Sequence, residues 1–564
     1  MNYDDRPWLK SYDAWVEPEF PVPDVTFVEL LEQSFNDFAG RPAFHFLGVT
    51  LTFADLDRYT QRFARFLADI GCGPGDVVGI NLPNIPQYMI AQIGAFRAGC
   101  TVTGISPLLS GKEMEHQLND SRARVLVTLD AAFEHRFLKV QDHVPSVTHV
   151  VATNITDFLP GPKRFLAKTL KKVPVGKVSP VPGKTVLLFR EVMRRYPARV
   201  PGARLKPGDT CLIQYTGGTT GLPKGAEITH RNVVVNIMQN MKWQNHERGG
   251  EVYCSGFPFF HIAGASFAMA ALSLGNTQIL VPDPRNTGHI CKEIAKNRPT
   301  FLCNVPSLYQ ILLDDPRFKT LDFSGIKACA SAAAPFSPGP FRALEAVVGE
   351  GKVIELYGMT ETTGAMTSNP AKGVKKIGSV GLPLQNVRLK LVDLETGSRE
   401  VPRGEQGEII VQSPQVMKGY FEKPEDNEYT LRKFQDERWL FTGDVAKMDE
   451  DGYIYIVDRA KDRINVGGFK VFSAEAEQTL YEHPAVRYCA IVALINPKRP
   501  GSELVKAVIQ PASEYDTIDK KKLEEDIIAY CCENMAPYKV PKVIEFVQNM
   551  PLTSVGKVDK KALR

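Results

Sequence analysis

The chain has 564 residues, a formal net charge of +4, 43% apolar residues and 23% charged residues. That length is too great for one hydrophobic core and predicts two or more globular domains, while the near balance of charge argues against general nucleic-acid binding. Ten scattered cysteines, of which only Cys531 and Cys532 are close in sequence, lack metal-ligand spacing and read as reduced, packed thiols.

The first residues, Met1 to Trp8, have neither a basic start nor an apolar run, so a cytoplasmic location is expected. A helical segment at 63–70 and strand-like runs at 77–80 and 125–128 begin an α/β alternation that extends to about residue 440. Between Lys163 and Arg204 lie about a dozen Lys and Arg against the single acid Glu191. Interleaved Phe165, Leu166, Leu170, Val186, Leu187, Leu188 and Phe189 leave two readings open, contact with an anionic membrane surface or a solvated basic insertion. Pro174, Pro180 and Pro182 forbid one long helix there.

Residues 215–225 read Tyr-Thr-Gly-Gly-Thr-Thr-Gly-Leu-Pro-Lys-Gly. The hydroxyls of Thr216, Thr219 and Thr220, the backbone amides of Gly217 and Gly218 and the charge of Lys224 suit a polyphosphate. A Walker A loop is excluded, because Leu222 and Pro223 separate Gly221 from Lys224, and Gly225 follows where that motif needs Ser or Thr. The apolar run 211–215 predicts a strand before the loop, and Thr229 predicts an N-cap for a helix after it. Residues 256–275, interrupted by Pro258, His261 and Ser266, predict a buried helix following a loop. From Gly404 the strands become short and Gly-rich. A boundary is expected at 458–461, between a domain of residues 1–457 and a small α+β domain of residues 462–564.

Together with the loop, Tyr357-Gly-Met-Thr-Glu361, Trp439-Leu-Phe-Thr-Gly-Asp444, Asp458-Arg-Ala-Lys-Asp-Arg463, Gly467-Gly-Phe-Lys470 and Gly556-Lys557 resemble the adenylate-forming superfamily in order and spacing. Its members include acyl-CoA synthetases, beetle luciferases and adenylation domains of peptide synthetases. Glu115-His-Gln-Leu-Asn-Asp120, Leu321-Asp-Phe-Ser324 and Gln415-Val-Met-Lys-Gly-Tyr420 resemble bacterial fatty acyl-CoA ligases in particular. The resemblance implies an α/β fold, with a large N-terminal domain of several subdomains and a small mobile α+β C-terminal domain. It implies ATP, Mg2+ and CoA as the cofactor and co-substrates.

By that resemblance the loop Thr216 to Lys224 holds the β- and γ-phosphates, Thr360 the α-phosphate and Glu361 the magnesium ion. Tyr357 stacks on adenine, Ala332, Ala333 and Ala334 lie beside adenine and acyl group, Asp444 binds the ribose, and Arg459 makes a second nucleotide contact. Lys557 bridges the attacking carboxylate and the α-phosphate. The small domain then swings about Lys461 and presents Gly467, Gly468 and Lys470 to the pantetheine path. His261 lies near the substrate carboxylate, with Phe259 and Phe260 as a wall of the acyl site. Two departures stand out: Ala332 and Ala333 where relatives often carry glycines, and Phe441 where many fatty acyl ligases carry His.

The expected activity is ligation of an apolar monocarboxylic acid, a medium- or long-chain fatty acid, to CoA through an acyl-adenylate. Alternatives are an alicyclic or aromatic acid, whose compact ring suits the two extra methyls, and a carrier-protein thiol as acceptor. From a different class, a nucleotide-binding membrane scaffold without turnover would have no need of Lys557.

Overall fold

The computed structural model describes residues 3–170, 173–199, 202–216, 223–459, 464–466, 469–497, 502–515, 518–553 and 556–563. An eight-stranded sheet runs Gly419–Tyr420, Gly225–Thr229, Thr210–Tyr215, Thr101–Gly104, Val77–Asn81, Ala123–Leu129, His149–Thr153, Thr185–Leu188. From Thr210–Tyr215 onward every pairing is parallel. A strand covered on both faces reads as a continuous apolar run, as in Val77–Asn81, all of whose residues are buried.

The second sheet has nine strands, in the order Leu382–Pro383, Gly364–Ser368, Val353–Met359, Ala328–Ser331, Phe301–Asn304, Val252–Ser255, Thr277–Leu280, Pro42–Phe46, Val49–Thr52. Its middle is parallel, from Val353–Met359 to Pro42–Phe46. One core joins the two sheets: Val78 and Ile80 of the first and Phe44 and Leu280 of the second share it with Ile90 of helix Pro86–Arg97 and Ala268 of helix Ile262–Ser273. Every residue of Pro86–Arg97 is buried, which explains why that helix has no polar face.

A third, antiparallel sheet, Arg388–Val392, Gly407–Gln412, Glu437–Met448 and Leu431–Phe434, also carries Ile454–Arg459. The C-terminal region has its own core, formed by strands Val486–Ile495, Glu503–Pro511 and Val543–Phe546 under helices Ser473–Tyr481 and Lys520–Asn534. Strand Ile454–Arg459 carries ordered pairing through Arg459, two residues beyond the expected end of the large domain.

Two local expectations are corrected. Residues 215–225 do not lead into a helix. Gly225–Thr229 forms a strand antiparallel to Thr210–Tyr215, and helix His230–Gln244 follows, capped by Thr229, which accepts from the Asn232 amide at 3.2 Å. The reason is local: Ala226 and Ile228 alternate with Glu227 and Thr229, a pattern of period two that extends the sheet before the cap. The basic segment is not a free insertion either. Thr185–Leu188 closes the edge of the first sheet, and Phe189, Val192 and Met193 are core residues. Helix Gly161–Thr169 leaves Phe165 73% and Leu166 57% exposed, and Leu170 just beyond it is 53% exposed. Among the described residues no helix is long and apolar enough to cross a membrane.

Candidate active site

Four parallel neighbours of the second sheet end at one edge, and the segments leaving them carry much of the predicted chemistry. Val252–Ser255 leads to His261, Phe301–Asn304 to Val305 and Ser307, Ala328–Ser331 to Ala332, Ala333 and Ala334, and Val353–Met359 to Thr360 and Glu361. The carboxyl edge of an open α/β sheet is where ligands bind, because connecting segments diverge there and leave a crevice.

Thr360 and Glu361 are buried in a single turn, Thr360–Thr362, after strand Val353–Met359. Gln415 shapes that turn: its Nε2 donates to the carbonyls of Thr362 at 2.8 Å and Ala365 at 3.0 Å, and its own carbonyl accepts from Thr363 Oγ1 at 2.7 Å. Glu361, 6% exposed, accepts from the Tyr420 hydroxyl at 2.6 Å. Burial and this carboxylate together push the Tyr420 phenol well above its ordinary pKa, so it stays a donor. Lys224 pairs with Asp426, and its ammonium lies 5.5 Å from the centre of the Tyr420 ring. Tyr420 therefore has Lys224 near its ring and Glu361 at its hydroxyl. Thr216 donates its amide to the Lys224 carbonyl at 2.9 Å, closing the base of the loop. Gly217, Gly218, Thr219 and Thr220 lie outside the described residues.

Tyr357 donates its hydroxyl to Asp444 at 2.5 Å, which joins two motifs separated by more than eighty residues of chain. Asp444 is 5% exposed and lies directly across the ladder from Arg459, whose strand backbone pairs with it. Gly443, at φ +72°, makes the bend that turns Asp444 inward. Phe441 has a packing explanation: its buried ring is covered by the Arg432 guanidinium at 3.6 Å. Lys470 belongs to strand Phe469–Val471, while Lys461, Gly467 and Gly468 lie outside the described residues.

His261 caps helix Ile262–Ser273, and the Ala263 amide donates to its Nδ1 at 3.3 Å. Accepting there places the proton of the neutral ring on Nε2. Burial, and after it the Lys557 charge, lower its pKa to about 3, so near neutral pH His261 is an uncharged donor. The preceding loop is clamped by buried amides: Asn84 receives the Phe259 amide at 2.8 Å, and Gln214 donates to the Phe260 carbonyl at 2.6 Å. Phe259 and Phe260 are buried in the core between the sheets, where Phe259 packs on Tyr88. Ala263, Phe267, Ala332, Ala333 and Ala365 are half-buried apolar residues packed on the core of the second sheet, with Phe267 stacked on Phe257 at 5.6 Å.

Ala333 has φ +73°. A left-handed conformation costs an alanine roughly 1–2 kcal/mol, which explains why glycine suits this position and why alanine there is a departure with a physical consequence. Just beyond, Glu355 accepts from the Phe336 amide at 3.4 Å and the Gly378 amide at 3.2 Å, while burial pushes its carboxyl up to about 8. Of the residues that shape the site, Tyr420, Gln415 and Asp426 are not assigned by the sequence reading. Residues 415–420 were legible only as a family resemblance, because Gln and Tyr carry no chemistry of their own until the turn they hold is known.

Lys557 comes from the far end of the chain. Its amide donates to Thr553 Oγ1 at 3.1 Å and its carbonyl accepts from the Thr553 amide at 2.7 Å, within a hairpin closed by the Leu552 and Val558 bridge. That hairpin lies on the large domain, where Ser307 Oγ donates to the Gly556 carbonyl at 2.7 Å. The lysine charge thus reaches His261.

A buried carboxylate at the carboxyl edge of the second sheet, with a lysine from a separate small domain docked at that same edge, suits an AMP-forming acid–thiol ligase. The chain belongs to the AMP-binding enzyme family: the family model matches residues 31–421, and the AMP-binding enzyme C-terminal domain matches residues 475–557. It is 35% identical over 568 aligned positions to a long-chain-fatty-acid–CoA ligase of Bacillus subtilis (strain 168), covering 99% of this chain and 97% of that one. It is 31% identical to a feruloyl-CoA synthase of an Amycolatopsis species, covering 92% and 94%. The crystal structure of the anthranilate CoA ligase AuaEII in complex with anthranoyl-AMP superimposes with a TM-score of 0.84 at 25% identity, covering 100% of this chain and 98% of that one.

Proposed function

We propose that this ligase activates an apolar monocarboxylate, a medium- or long-chain fatty acid, and passes it to CoA. The observation that carries this reading is the docking of the Lys557 hairpin, through Gly556 on Ser307, at the sheet edge whose outgoing segments also carry His261 and Ala332. In the first step a carboxylate oxygen attacks the α-phosphorus of ATP, a P–O bond forms, and the bond to pyrophosphate breaks. The chief demand is neutralising converging negative charge. Lys557 offsets it at the attacking oxygen and the α-phosphate, Thr360 donates to the α-phosphate, and the Nε2–H of His261 orients the carboxylate. Tyr357 stacks on adenine, Ala332 to Ala334 line the adenine and acyl sides, and Asp444 with Arg459 holds the ribose.

Mg2+ fits Glu361, since that ion takes one or two carboxylates and completes its octahedron with phosphate and water oxygens. Among the described residues no group of three His, Cys, Asp or Glu converges, and such an arrangement does not need one. When bound, the ion supplies positive charge to the phosphates held by residues 216–224.

In the second step the thiol of CoA ionises to solvent, its sulfur attacks the acyl carbonyl carbon, and AMP leaves with the electron pair of the broken C–O bond. The domain of residues 462–564 turns on the 458–461 hinge at Lys461 and brings Gly467, Gly468 and Lys470 to the thiol path.

The Ala333 methyl favours a second reading, a compact alicyclic or aromatic acid. Release of AMP with CoA, across straight-chain, alicyclic and aromatic acids, for wild type and Ala333→Gly, separates them. If the methyl shortens the acyl site, the variant gains on long chains relative to ring acids by tenfold or more, the scale of one misplaced methylene. A parallel change for every acid would remove Ala333 from specificity, and no turnover of any acid would remove the ligase reading itself.

For localisation we propose peripheral contact with the inner face of the membrane through helix Gly161–Thr169. Its exposed Phe165 and Leu166 directly follow Lys163 and Arg164, a mixture of apolar and basic side chains suited to anionic lipid. In flotation with phosphatidylserine vesicles, Phe165→Ser/Leu166→Ser should abolish co-flotation seen with wild type. Equal flotation would refute this contact.

A further inference from the structure

We infer that Ser307 is a positioning residue for Lys557, acting only in adenylate formation; this rests on the proposed role of Lys557. Ser307 is the second residue of helix Pro306–Asp314, and its hydroxyl reaches the Gly556 carbonyl at 2.7 Å across 249 residues of chain. That carbonyl and the Lys557 amide belong to one planar peptide unit. Fixing the oxygen therefore fixes the plane from which the Lys557 side chain departs, and the Thr553 hydroxyl holds the other edge of the same unit at 3.1 Å.

Gly556 shows how close this docking is. It has φ +80°, and a Cβ there would stand 3.1 Å from Val305 Cγ2 and 3.3 Å from Ser307 Oγ. A side chain would be strained in its own conformation and pressed against the helix it must meet. The other end of the same helix is also engaged, by the Arg487 to Asp314 ion pair at 2.5 Å. Helix Pro306–Asp314 thus receives the small domain at both ends: Ser307 sets the lysine, and Arg487, half exposed, adds an orienting charge of small weight.

Val305 and Ser307 follow strand Phe301–Asn304, whose neighbour Ala328–Ser331 leads into Ala332, and the Ala332 amide donates to the Asn304 carbonyl at 3.4 Å. The dock is therefore part of the crevice that takes the nucleotide. Once the small domain turns for thioester formation, the Ser307 to Gly556 contact has no role, which gives the inference a signature that general destabilisation lacks.

The test measures both half-reactions, carboxylate-dependent pyrophosphate exchange and CoA transfer from preformed acyl-AMP, in wild type, Ser307→Ala, Ser307→Thr, Gly556→Ala and Lys557→Ala, with melting temperatures for each. Ser307→Ala should slow exchange about 3- to 10-fold, the range of one hydrogen bond, and leave transfer and melting unchanged. Ser307→Thr should restore exchange by returning the hydroxyl, and Gly556→Ala should slow exchange tenfold or more. Equal losses in both half-reactions, or full exchange in Ser307→Ala while Lys557→Ala has lost it, would overturn the positioning role. Full exchange in Lys557→Ala would instead overturn the catalytic reading of the lysine, and this inference with it.

Discussion

Replacing Lys557 by alanine is expected to slow acyl-adenylate formation by on the order of 10²- to 10³-fold, while CoA transfer from preformed acyl-AMP stays within about twofold of wild type. The scale is that of removing one preorganised group aimed at charge that develops in the transition state. The asymmetry follows from where the lysine sits. Lys557 is carried on a hairpin that docks against the large domain through Gly556, so its ammonium serves the chemistry available in this arrangement. Its charge is felt at His261, a ring kept neutral by burial. Lys557→Arg should recover only part of the rate, because a planar guanidinium on a longer stem does not place a compact charge at the same point. Comparable losses in the two half-reactions would refute the assignment.

The second large effect is expected at Glu361. Glu361→Gln keeps the size of the side chain and an oxygen that can accept from Tyr420 at the position now 2.6 Å away, but removes the negative charge. Adenylate formation should fall by on the order of 10²-fold or more, and the Mg2+ concentration needed for half-maximal rate should rise, because Gln is a much weaker ligand for a hard dication. Tyr420→Phe should cost about tenfold or less, the worth of one hydrogen bond to a charged group, and leave the Mg2+ dependence near wild type. The pair separates two roles, charge at Glu361 and orientation at Tyr420. An unchanged Mg2+ dependence in Glu361→Gln would sink the first.

The fold class was readable because α/β units announce themselves locally. The apolar runs read at 77–80 and 125–128 fall within strands Val77–Asn81 and Ala123–Leu129, and the helical pattern read at 63–70 covers the end of helix Phe53–Asp69. The buried helix after His261 was readable for the same reason. What misled was also local. The stretch from Gly225 looked like the approach to a helix because Thr229 is a strong cap, yet the alternation of Ala226 and Ile228 had already committed those residues to the sheet. The sequence also left unseen that the buried amides Asn84 and Gln214 hold the loop before His261 so that Phe259 and Phe260 enter the core.

The sequence by itself offered candidate parts: a loop suited to phosphate at 215–225 and, through family resemblance, an acid at 361, a carboxylate at 444 and a lysine at 557. Tertiary structure alone decided which of these meet. Four strands separated by up to a hundred residues became neighbours in one parallel sheet and delivered His261, Ser307, Ala333 and Glu361 to one edge. Packing put Tyr420 between Glu361 and Lys224, Tyr357 against Asp444, and Gly556 on Ser307. The physical reason is one of range. Periodicity, caps and turns are fixed by interactions within a few residues, whereas sheet order and domain docking are chosen by burial and hydrogen-bond satisfaction over the whole chain, and these leave no mark at any single position.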